Sequence, residues 1–198
     1  MSVAELEIEN RYREATHDGY FDGFDETALT PRDLEPFPSC LVCLRNGHRN
    51  AAAKNRLIEA ISSGLPVKVL LQRDDILEDL PIAGGKFAFG IESLQLPAMA
   101  LGLNTAYVVQ ASGSHLHAPN GAIDNGMRYH GPALFSVFSG AGRKASRAAR
   151  NAPGLGAYLR SAAAMESRAF PVFSYDSAAR ADWAARFRVA DNPQAEAD

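Results

Sequence analysis

The sequence predicts an α/β fold, a mainly parallel sheet flanked by helices. Three observations carry this reading. Short apolar runs alternate with helix-length stretches along most of the chain. Two of those runs, Val67–Leu71 and Ala133–Phe138, are dense in β-branched and aromatic residues. Such near-continuous runs suit strands covered by helices on both faces. Finally, Cys40–Asp79 reads as strand, polar turn, helix, Gly-Pro stop, strand and a second polar turn. That is the size of one βαβ crossover, whose ligands sit where its strands end.

The elements follow in order. Strands are expected at Cys40–Leu44, Val67–Gln72, Thr105–Gln110, Ala133–Ser139 and Phe170–Tyr175. Helices are expected at about 49–62, 91–102, 119–129, 154–166 and 178–187. Ala53, Leu57, Ile58 and Ile61 form one apolar stripe of the first helix. Gly64 and Pro66 stop that helix and release the next strand. Pro97 falls inside the second helix, which should kink or start late there. Pro153 suits the first turn of the fourth. The Gly-, Ala-, Ser- and Arg-rich stretch Gly140–Gly156 reads as a mobile loop, with Arg147 and Arg150 making it basic.

The 198 residues suit one domain with a lead-in and a tail. A hydrophobic content of 46% is enough for a core. The net charge of -3 gives no reason to expect nucleic acid. The charge is uneven, because residues 1–36 hold ten acids and three bases, a net of -7, leaving +4 on the rest. That acidic stretch lacks apolar periodicity and reads as an extended or partly disordered lead-in. Its sharper alternative is a docking arm anchored by Tyr20, Phe21 and Phe24. Residues 37–192 form the expected domain, and 193–198 a tail. No apolar run reaches the roughly 18 residues of a membrane span, and no secretory leader is seen. With only two cysteines, the expectation is a cytoplasmic protein.

The polar turns carry a resemblance. Arg45-Asn46-Gly47 follows the first strand, and Arg73-Asp74-Asp75-Ile76-Leu77-Glu78-Asp79 follows the second. Between them lies Ala-Ile-Ser-Ser-Gly-Leu-Pro-Val-Lys-Val-Leu, residues 60–70. This segment resembles the thiamine-diphosphate-binding domain of pyruvate:ferredoxin/flavodoxin oxidoreductases and related 2-oxoacid oxidoreductases. The family carries Gly-Asp-Gly at the first turn and Asp-Thr-x-Val-Tyr-Ser-Asn at the second. The 28-residue step from Asn46 to Asp74 fits without a gap. Leu101–Gln110, Gly131–Gly140 and Glu166–Asp176 are also similar, so the likeness covers roughly residues 38–192.

The resemblance implies a thiamine-diphosphate-binding-like fold and oxidative decarboxylation of a small 2-oxo acid. Thiamine diphosphate and Mg²⁺ are the implied cofactors. Asn46, Asp74 and the carbonyl of Ile76 would be the metal ligands, and Arg45, Asn46, Gly47 and Asp74 would line the diphosphate. The departures have consequences. Asn46 lacks the family's charge, and Asp74 restores one from the other strand. Arg45 replaces a small Gly; it would pair with a phosphate or fill the metal's place. Glu78-Asp79 adds negative charge near a diphosphate. The family's iron–sulfur cysteines and the domain that activates the aminopyrimidine have no counterpart here. A catalytic role therefore needs a partner oxidoreductase subunit or further domain. The alternative is a non-catalytic relic serving subunit association, as a homo-oligomer or with such a partner.

Other patterns weigh less. Cys40-x-x-Cys43 is half a zinc or redox motif, but within a buried strand its residues face opposite sides and read as core thiols. His115 and His117 follow a strand's carboxyl end, with Asp124 and His130 as further metal candidates; a polar loop, still within reach of a pocket, is the plainer reading. Ser112-Gly113-Ser114 lacks the nucleophile-elbow pattern, and Gly84-Gly85-Lys86 lacks the P-loop frame.

Overall fold

A computed structural model describes residues 3–23, 29–34, 39–45, 51–74, 76, 80–82, 86–88, 91–117, 120–142, 156–179, 182–189 and 192–193. The chain divides into two compact units, Met1–Phe37 and Pro38–Asp198.

The first unit carries three short helices where the sequence suggests an extended lead-in: α1 (Val3–Ile8), α2 (Glu14–Asp22) and α3 (Pro31–Leu34). A local polar contact sets the start of α3. The Thr30 N–H donates to Asp33 Oδ2 at 2.9 Å, and the Asp33 N–H to Thr30 Oγ1 at 3.4 Å. That reciprocal pair satisfies two N-terminal donors of α3. Tyr12 donates its hydroxyl to Asp18 and stacks on His17. Of the proposed anchors, Tyr20 is exposed and meets Phe21 edge to face. Phe24 lies outside the described residues.

The second unit is α/β. Its strands are β1 (Cys40–Arg45), β2 (Val67–Arg73), β3 (Leu80–Ile82), β4 (Lys86–Ala88), β5 (Tyr107–Ser112), β6 (Ala133–Phe138), β7 (Phe173–Tyr175) and β8 (Phe187–Arg188). Six of them make one sheet in the order β1-β2-β6-β5-β7-β8. The first four strands of that order pair in parallel, and β7 and β8 add antiparallel strands. β3 and β4 form a separate antiparallel hairpin that periodicity alone does not reveal.

Register fixes which side chains share a face, because partners across parallel strands point the same way. Val69, Leu71, Leu134 and Val108 line one face. It is covered by Leu57 and Ile61 of α4 (Ala51–Ser62) and by Leu96 and Ala100 of α5 (Ile91–Leu103). The apolar stripe of the first helix thus faces the sheet at Leu57 and Ile61, and α5 runs through Pro97. Tyr107, Val109, Ala133 and Phe135 line the opposite face under Ala122 of α6 (Asn120–Arg128). Gly126 permits that close approach, since a Cβ there would lie 2.8 Å from the Phe135 ring. The last helix, α7 (Ala157–Glu166), is held by a third cluster of Ile76, Phe138, Ala164 and Phe170.

Lys68 is the one cation in this interior among the described residues with no exposed surface. It donates to the Tyr129 carbonyl and, at 2.7 Å, to the Gly131 carbonyl. Burial pushes its pKa below the ordinary lysine value. It lies early in β2, at the end of the sheet away from the strands' carboxyl termini. Its role is to tie down the α6–β6 connection.

Two expectations need correction. Cys40 and Cys43 are not core thiols: β1 is an edge strand, and both are exposed, with Leu41 51% and Val42 37% exposed. Helices pack over the central strands, and among the described residues Leu44 is the member of β1 that packs against the core. Nor do the described residues of 178–187 form an α-helix. The described residues there form a short 3-10 turn, Ala184–Arg186, leading into β8. Trp183, Phe187 and Tyr175 stack on one another at that corner, which favours edge pairing over a helix. Pro153 and most of Gly140–Gly156 lie outside the described residues, and α7 begins at Ala157. No helix among the described residues is long and apolar enough to cross a membrane.

Candidate functional site at the carboxyl edge of the sheet

The carboxyl ends of β2, β6 and β5 are knitted together beyond the regular ladder. The Ser139 N–H donates to the Arg73 carbonyl at 2.7 Å, and the Gly142 N–H to the Asp74 carbonyl at 2.9 Å. On the other side, the Gly113 N–H donates to the Phe138 carbonyl at 2.7 Å. α7 docks onto this rim. Ser112 Oγ donates to the Ser161 carbonyl at 2.6 Å, and Arg160 Nε to the Gly140 carbonyl at 2.5 Å.

Between rim and helix lies a cleft of about 390 Å³ lined by Leu70, Gln72, Gly113, Leu116, Val137, Ser139, Tyr158 and Ser161. Its walls are apolar with a few hydroxyls and one amide. It occupies the place where open parallel sheets bind ligands, beyond the strands' carboxyl ends.

A charge pair stands at its flank. Asp74 is buried, with 6% of its side chain exposed, whereas Arg45 is 65% exposed. Arg45 Nε donates to Asp74 Oδ2 at 2.8 Å. Ser139 Oγ and Gln72 Nε2 donate to Oδ1 at 2.6 and 2.9 Å. Burial by itself pushes the Asp74 carboxyl up. The hydrogen bonds from Ser139, Arg45 and Gln72, with the Arg45 charge, outweigh it and hold the pKa below the ordinary carboxylate value. Two of those donors, Gln72 and Ser139, also line the cleft. Arg45 is the register partner of Gln72, so its side chain leaves the sheet on the same face; it does not itself line the cleft but is linked to it through Asp74, Gln72 and Ser139.

A stability consequence follows. A carboxylate with a depressed folded pKa stabilises the fold above its unfolded value of 3.8, and that contribution is lost as pH falls through the folded value. Asp74→Asn is therefore expected to cost about 1–3 kcal/mol at neutral pH, with one donor left unpaired. The gap to the parent should close as pH drops below 3.8. Urea unfolding of both proteins at several pH values measures it, and a gap constant with pH would disprove the assignment.

The sequence-predicted site residues divide. Arg45 and Asp74 meet as described. Asn46 and Gly47 lie outside the described residues. Ile76 is buried against Phe138, Ala164 and Phe170. His115 stands in the turn after β5, its N–H on the Ser112 carbonyl at 2.9 Å, and His117 is exposed. Asp124 and His130 are exposed too, and no group of three or more His, Cys, Asp or Glu among the described residues is placed to hold a metal. Sequence reasoning missed Gln72, Ser139 and the α7 wall. Ser139 and Gly140 close a strand, which is a positional signal; nothing local marks Tyr158 or Ser161.

The implied Mg²⁺ and thiamine diphosphate can be tested against this geometry. A hard divalent ion needs oxygen ligands with free lone pairs. Asp74 already receives three donors, and one of them is a guanidinium that supplies the cation's charge. The described residues do not fit a magnesium-bound diphosphate. No family model matches the chain, and no curated protein matches it.

Proposed function

We propose that this chain is a divergent relative of the thiamine-diphosphate-binding domain of 2-oxoacid oxidoreductases that serves subunit association rather than metal–diphosphate chemistry. The single observation that carries this reading is the Arg45–Asp74 pair, in which a side-chain cation occupies the carboxylate that the resemblance would assign to the metal. The mostly parallel sheet, with its polar turns at the carboxyl edge, is compatible with that ancestry. The exposed apolar edge β1 offers a surface for association, with a second copy or a partner oxidoreductase subunit. The cleft beyond β2, β6 and β5 favours the second reading, in which the domain takes part in oxidative decarboxylation of a 2-oxo acid with a partner subunit.

Titration calorimetry with thiamine diphosphate separates the two. On the association reading, adding Mg²⁺ leaves the heat and affinity unchanged. Magnesium-dependent binding near micromolar strength, about -8 kcal/mol, would reinstate the catalytic reading. The double variant Arg45→Gly and Asn46→Asp restores the family's motif and should gain magnesium dependence if only those two positions closed the site.

A further inference from the structure

We infer that the cleft is a metal-independent binding site for a small organic monoanion, a carboxylate with an apolar body, which Arg45 recognises in place of a metal. The inference goes beyond the association reading.

The argument begins with what holds Arg45. Its Nε is fixed on Asp74 at 2.8 Å, and Asp74 is in turn fixed by Ser139 and Gln72. A guanidinium pinned through Nε presents its two Nη groups as a planar fork, and such a fork suits a carboxylate. No partner among the described residues takes those Nη groups, and the side chain is 65% exposed. Orientation by a buried carboxylate lowers the entropy lost on binding.

The cleft sets the rest of the ligand. Leu70, Val137, Leu116 and Tyr158 make its walls apolar, and its volume of about 390 Å³ suits a body of several carbons. Ser139 and Gln72 line this space and also donate to Asp74, so the polar side of the cleft, where the ligand's charged end would go, is the side linked to Arg45. Charge number follows from the pair itself. Arg45 and Asp74 together are neutral, so a monoanion gains the fork without strong repulsion. A dianion would meet the buried Asp74 carboxylate close by.

Calorimetry in excess EDTA tests this, with 4-methylpentanoate as the probe and 4-methylpentanol and inorganic phosphate as comparisons. The carboxylate should bind, and each comparison should bind at least about tenfold more weakly, a difference of one bidentate charged contact. Arg45→Gln should weaken the carboxylate at least about tenfold while leaving the alcohol unchanged; Arg45→Lys should fall between. Circular dichroism of each variant checks folding, and Leu116→Glu, which puts a like charge in the cleft wall, should also abolish binding. Equal binding of acid and alcohol, an unchanged Arg45→Gln, or no heat from the carboxylate at any concentration would overturn the inference. Binding that appears only with Mg²⁺ would overturn it as well. Because the probes here lack a thiamine moiety and the buffer lacks metal, these outcomes are independent of the magnesium test above.

Discussion

Gly140→Ala should destabilise the protein by roughly 3 kcal/mol or more and detach α7 from the sheet. Two penalties combine at this position. Gly140 has φ +66°, a conformation that costs an L-residue about 1–2 kcal/mol. A Cβ there would also lie 2.2 Å from the Ala157 carbonyl oxygen and 3.1 Å from the Ser161 N–H. Both obstacles are backbone of α7, so relief requires the helix to move rather than a side chain to rotate. The Gly140 carbonyl accepts from Arg160 Nε, so displacement breaks that contact too. Gly64 supplies the control. It has φ +74° but nothing within 4 Å, so Gly64→Ala should show the conformational penalty alone. Urea unfolding of both variants measures the difference. If Gly140→Ala cost no more than Gly64→Ala, the close docking of α7 would be wrong.

Phe170→Ala should cost about 3–5 kcal/mol, the range for removing a fully buried aromatic side chain. Phe170 has no exposed surface, and its ring centroid lies 5.6 Å from that of Phe138. With Ile76 and Ala164 these rings form the small cluster that joins β6, the segment after β2, and α7. The Phe170 N–H donates to the Ala164 carbonyl at 2.9 Å, which closes the C-terminal end of α7. Emptying this cluster should therefore loosen the cleft wall as well as the fold. Amide exchange should rise first along α7 while β5 and β6 stay protected. A loss below about 1.5 kcal/mol, or exchange rising equally in all strands, would show that the cluster does not anchor the helix.

Much of the architecture is legible locally. β2 and β6 are near-continuous apolar runs, and four-fifths of the anticipated helices appear within a few residues of their expected ends. The Ser-Gly-Leu-Pro stop works as predicted, with Gly64 left-handed and β2 starting at Val67. The exposed cysteines were not legible, because burial of a strand depends on its place in the sheet. Cys40-Leu-Val-Cys-Leu reads as a core strand, yet it is the edge and has one neighbour. The stretch 178–187 failed for a related reason. Its alanines suit a helix, but Trp183 and Phe187 find a better partner in Tyr175 of the preceding strand β7, a contact that helical periodicity does not show.

The site divides along the same line. The sequence by itself determined that this is an α/β chain and that polar turns, Arg45-Asn46-Gly47 and Arg73-Asp74-Asp75, follow two of its strands. Those are properties of periodicity and residue type. Only the tertiary structure decided that Arg45 and Asp74, 29 positions apart in sequence, meet in one ion pair. It also decided that Ser139 and Gln72 fix the carboxylate and that α7 closes the cleft. The parallel register of β1, β2 and β6 brings those positions side by side. A local pattern encodes that a segment is extended and apolar, whereas its direction, its neighbours and the face it buries depend on the packing of the whole sheet.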